Sequence, residues 1–89
     1  MTPEAYTQFE DLTADLAQMH LELGEMVAAE KEQRVRAYED SGESSVSAAD
    51  RYADAAVLDL TTEIIKLKSE IRASEVQWEF LMACMRGEG

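Results

Sequence analysis

The chain has one histidine and one cysteine, His20 and Cys84, and a search for chemistry begins with them. Together they would make a nucleophile and its base if the side chains met within hydrogen-bond reach. Helical folding of the chain, argued below, sets His20 near Lys66 and far from Cys84, so the pair does not form. No Glu-x-x-His or His-Glu-x-x-His spacing surrounds His20, which leaves it without companion metal ligands. Cys84 lies in an apolar run and reads as a small packed hydrophobe. A lone cysteine also excludes an intrachain disulfide framework. No glycine-rich loop is present to cradle a phosphate; Gly87 and Gly89 read as a tail. The remaining candidates are the 19 carboxylates. Carboxylate catalysis needs a concave, partly dry site, and nothing in the pattern builds one. The expectation is no catalytic residue, no metal and no cofactor.

The placement of the charges is more informative. Residues 1–30 carry Glu4, Glu10, Asp11, Asp15, Glu22, Glu25 and Glu30 and no lysine or arginine, so all eight cations follow residue 30. Three readings fit this one-sign run. It is a solvated outer face, or a surface that steers a basic protein partner, or a mimic of the phosphate track of DNA. Its charge density is well below that of duplex DNA, with one charge per ≈ 1.7 Å. The formal net charge of −11 disfavours direct contact with nucleic acid or an anionic membrane. The densest apolar stretch, residues 76–85, is too short to cross a bilayer. No basic-then-apolar segment reads as a signal peptide. The expected place is the cytoplasm, without membrane contact.

The elements that position these groups are two helices. Thr2, Pro3 and Glu4 suit the cap, first position and first turn of a helix. Phe9, Leu12, Leu16, Met19, Leu23 and Met26 then recur at alternating spacings of three and four, a heptad seam. The seam meets Glu30 and Gln33, and apolar residues resume off-register at Val35 and Tyr38. Gly42 offers a left-handed terminus after Ser41. Ser47 with Asp50 resembles a capping box, and Ser45 is an equal alternative. Ala53, Val57, Leu60, Ile64, Leu67, Ile71, Ser74, Trp78, Leu81 and Met85 continue one unbroken heptad register, with Ser74 the single polar member. The expected boundaries are a helix over 3–40, a turn over 41–46 and a helix over 47–86, all within one domain spanning 1–89.

So short a connection favours an all-α, antiparallel, coiled-coil-like two-helix hairpin. Folding about residue 43 sets Leu23 opposite Ile64, Met19 opposite Leu67, Leu16 opposite Ile71 and Phe9 opposite Trp78. The polar break falls opposite residues 54–57, where Arg34 and Arg51 would each find carboxylates. The serines of the turn read as turn and cap residues, and the methionines near the seams as gap fillers.

A chain of 89 residues is marginal as a monomer, and it holds more apolar surface than two seams use. Leu58 and Ile65 lie beside the second seam, and Val76, Phe80 and Cys84 form another flank. The expected cover is a second copy, two hairpins making a four-helix bundle through Leu16, Met19, Leu23, Leu60, Ile64, Leu67 and Ile71. An aromatic cluster of Tyr6, Phe9, Trp78 and Phe80 is expected at one end. The expected protein-binding residues are the apolar anchors Phe9, Trp78, Phe80, Leu81 and Met85 with the steering charges Asp11, Asp15, Glu22 and Glu25. These imply a non-enzymatic protein-binding module acting as adaptor, assembly factor or inhibitor. A DNA-mimic inhibitor and a purely structural self-assembling component are the alternatives.

Residues 38–54 (YEDSGESSVSAADRYAD) combine an acidic helix end, a Gly/Ser turn and a restart on S-A-A-D-R-x-A. This stretch resembles small helical-hairpin proteins of tailed bacteriophages, especially those of actinobacteria. The resemblance implies a small early phage protein that binds a host or phage protein, or an accessory of phage DNA processing. It carries over no site residues.

Overall fold

The structure, a computed structural model, describes residues 2–87 and is all-helical over them. Helix α1 spans Pro3–Ser41, α2 spans Val46–Ala56 and α3 spans Leu58–Met85. The ends of α1 follow from its sequence. Thr2 is extended, and its Oγ1 accepts the Ala5 N–H at 3.1 Å, satisfying one of the donors that a helix start leaves free. At the far end Gly42 adopts φ 64°, ψ 8°, a left-handed conformation in which only glycine is unstrained. Ser41 Oγ donates to the Tyr38 carbonyl and accepts the Glu43 N–H, which closes the turn.

Helix α2 starts one residue earlier than the expected 47. Ser45 is its cap, with Oγ accepting the Ala48 N–H at 3.0 Å. Of the two cap candidates, the Ser47–Asp50 box is therefore the one not used.

Three helices replace the expected two, because the second is interrupted at Val57 (φ −107°, ψ 10°). Backbone hydrogen bonds still bridge the break, from Val57 N–H to the Ala53 carbonyl and from Thr61 N–H to the Val57 carbonyl. No proline or glycine stands there to cause it. The physical difference lies in the packing on either side. Before the break the buried residues are alanines, Ala49 and Ala53 on α2 and Ala37 on α1. After it they are Ile64, Leu67 and Ile71. Small side chains let helix axes approach more closely than isoleucine and leucine do. Val57, 1% exposed, stands at the junction of these two kinds of packing.

Helix α1 packs along both α2 and α3. Its residues meet theirs in reverse order. Phe9 stacks on Trp78, Leu16 joins Leu67 and Ile71 in one cluster, Glu30 accepts a hydrogen bond from Thr61 Oγ1 at 2.9 Å, and Arg34 pairs with Asp54. The molecule is accordingly one long helix in length and little more than two helices in width, 62 × 17 × 16 Å.

The inward side of α1 continues through the polar break with a shift of one residue. Glu30 and Ala37 keep the heptad register, half-buried Arg34 stands inward in place of exposed Gln33, and Val35 and Tyr38 are exposed. Leu12, Met19, Leu23 and Met26 pack against the central cluster.

Candidate protein-binding surface

At the end where α1 begins, the ring centroids of Phe9 and Trp78 lie 5.5 Å apart at 27°, in the range where aromatic pairs attract beyond their burial. The Trp78 indole N–H donates to Thr13 Oγ1 at 2.8 Å, and Thr13 Oγ1 donates to the Phe9 carbonyl at 2.7 Å. The hydroxyl thus works as both acceptor and donor and fixes the indole against α1. Thr13 was not among the residues singled out from sequence. Its signal is one of spacing: it follows Phe9 by four residues on the flank of the seam.

The four-aromatic cluster does not form. Phe80 is 68% exposed, whereas Trp78 is half-buried. Positions two residues apart on a helix differ by about 200°, so the two rings leave α3 on opposite faces. Tyr6 is exposed as well, and Phe9–Trp78 is the aromatic pair among the described residues. Of the other expected anchors, Leu81 is half-buried and Met85 lies just exposed at the end of α3.

The steering charges are partly brought together. Asp11 and Asp15 line an indentation of about 300 Å³ with Leu12, Gln77 and Leu81. Glu22 lines a second, of about 210 Å³, with Met26, Glu63, Lys66, Leu67 and Glu70. Glu25 is exposed and lines neither. The contribution of Glu63 and Glu70 was not foreseen, although their seven-residue spacing was available to find it.

All seven residues expected to join two copies lie on the seam within one chain. Leu16, Ile64, Leu67 and Ile71 are buried there, and Met19, Leu23 and Leu60 are half-buried. The open apolar surface lies elsewhere. Leu58, Ile65, Val76 and Phe80 are 61%, 60%, 51% and 68% exposed. Their spacings of seven, eleven and four put them on one face of α3, the face turned away from α1.

The remaining candidates are plain in their surroundings. His20 is exposed and Cys84 half-buried. Among the described residues no three His, Cys, Asp or Glu side chains are grouped to hold a metal ion, and no helix is long and apolar enough to cross a membrane. Arg34 is held above its ordinary value chiefly by its hydrogen bond to Asp54, with Glu30 and Asp50 adding to the field. Arg51, expected to pair nearby, is exposed and makes no ion pair among the described residues. Compared with protein-family models, with curated proteins and with solved structures, the chain matches none.

Proposed function

We infer that this chain is a non-enzymatic protein-binding module, an antiparallel helical hairpin that works as an adaptor, assembly factor or inhibitor. The observation that carries the reading is the face of Leu58, Ile65, Val76 and Phe80. The seam is filled from within the chain, and yet four large apolar side chains remain in water on the opposite side of α3. A row of this kind on a folded protein marks a contact with another chain. The first occupant is a second copy, giving a two-fold four-helix bundle. Lys68 and Arg72 stand beside this face, with Arg72 near Glu79, so two copies meet there with mixed charge despite a net −11 each. A separate target protein is held by the acidic side of the hairpin and its aromatic end. The resemblance of residues 38–54 to phage hairpins directs the search for that target to bacterial cytoplasm.

The test is affinity capture from bacterial lysate with the tagged chain, washed at low and at high salt. The expected result is one protein held by wild type and lost from Asp11→Asn/Asp15→Asn/Leu81→Glu. Release of a DNA-binding enzyme by duplex DNA would replace the adaptor reading with DNA mimicry. An empty bait beside a dimeric mass would leave a self-assembling component.

A further inference from the structure

The two acidic indentations lie one after the other along one side of the seam. Gln8, Asp15 and Glu22 recur every seven residues on α1, and Glu63, Glu70 and Gln77 do so on α3. Rows of that period keep nearly one bearing to the seam over three positions, and each row lines both indentations. Between these rims runs a floor of two more rows, Leu12, Met19 and Met26 on α1 and Leu67, Ser74 and Leu81 on α3. Five of the six are apolar, and all but buried Leu67 are half-buried. From Gln8 to Met26 the groove is about 27 Å long at 1.5 Å per residue.

The rims carry like charge. Asp11, Asp15, Glu22, Glu63 and Glu70 line the groove with one cation, Lys66, whose Nζ is 3.5 Å from Glu63. On the other side of the seam the matching rows are Thr13, His20 and Val27 on α1 and Lys68, Glu75 and Met82 on α3, with one carboxylate among the six. Positions flanking a helix seam serve the pairing when they carry opposite charges. Here carboxylates flank the seam on both helices, which weakens the pairing and leaves a field for something else to neutralise.

We propose that this groove binds a basic amphipathic helix of another protein, its apolar ridge on Leu12, Met26 and Leu81 and its lysines and arginines over the two acidic rims. The proposal rests on the protein-binding reading above and gives that partner its chemistry. A second copy does not fit, since every helix of this chain carries more carboxylates than cations, ten against three on α1, two against one on α2 and five against three on α3. Nucleic acid is repelled by the same rims. A helix laid along a groove with an apolar floor is a common recognition mode.

The probe is a fluorescein-labelled helix of about 18 residues, long enough to fill the groove, with leucine at i, i+3, i+4 and i+7 and lysine elsewhere. Binding is followed by anisotropy at about 150 mM salt, where surface fields are screened beyond about 8 Å. Wild type is expected to bind it saturably. Asp15→Asn/Glu22→Gln/Glu70→Gln is expected to bind roughly tenfold more weakly and to melt no lower than wild type, since like charges are removed. Glu10→Gln/Glu39→Gln/Glu43→Gln makes the same change of net charge outside the groove and is expected to stay within about twofold. Equal weakening by both triple variants, or no saturable binding to wild type, overturns the proposal. Loss of the proposal in this way leaves the face of Ile65 and Val76 untouched, so the broader reading is judged separately by the mass of the chain.

Discussion

Ile65 and Ile71 stand less than two turns apart on α3, and replacing each with alanine separates the seam from the outer face. Ile71 is 4% exposed and packs with Leu16 and Leu67; Ile65 is 60% exposed. Truncation removes three carbon groups from either side chain, at about 0.8 kcal/mol each when fully buried. For Ile71 that is about 2.4 kcal/mol, to which an unfilled cavity adds and the better helix propensity of alanine subtracts about 0.4. The expected loss is about 2.5–3 kcal/mol. For Ile65 the burial of less than half the side chain gives about 1 kcal/mol, and the propensity gain brings it near 0.5. Urea unfolding followed by helical circular dichroism measures both, at about 2 μM chain to favour the monomer. A gap of about 2 kcal/mol is expected at that concentration, closing as the concentration rises and Ile65 becomes covered by a second copy. Equal losses at low concentration, or less than about 1 kcal/mol at Ile71, would mean that α3 presents a different face to α1.

Gly42→Ala is expected to destabilise by about 1 kcal/mol in the same assay, because alanine is strained at φ 64°. Ser45→Ala is expected to cost about 1 kcal/mol and Ser47→Ala close to zero, since Ser45 holds the cap. The Arg34–Asp54 pair is exposed on the Asp54 side, so a double-mutant cycle is expected to return no more than about 1 kcal/mol, shrinking with added salt.

What could be read from the sequence follows from which residues are unambiguous. Leucine, isoleucine and tryptophan at heptad spacing have one favourable place, and the cluster of Leu16, Leu67 and Ile71 and the stack of Phe9 on Trp78 are where that spacing puts them. Alanine carries no such signal, being common in core and on surface alike. Ala37 therefore does not stand out beside Val35 and Tyr38, which are larger and exposed. The break at Val57 has no local mark, neither proline nor glycine, and it coincides with the change of buried residues from alanine to isoleucine and leucine. The grouping of Phe80 with Trp78 is a different failure. Composition brought them together, while a spacing of two on a helix already set them apart. On the acidic side the run of residues 1–30 drew attention to α1 alone. The second rim, Glu63 and Glu70, is interleaved with Lys66 and Lys68, and its one-sidedness emerges only when the residues are placed in rows along the seam.

The mass of the chain in solution bears most directly on whether the outer face of α3 is an interface. Light scattering at about 100 μM is expected to give twice the 9.9 kDa of one chain. Ile65→Glu/Val76→Glu is expected to return it to a single chain with its helical signal intact. A wild-type mass of one chain at that concentration, or a variant as large as wild type, would contradict the assignment.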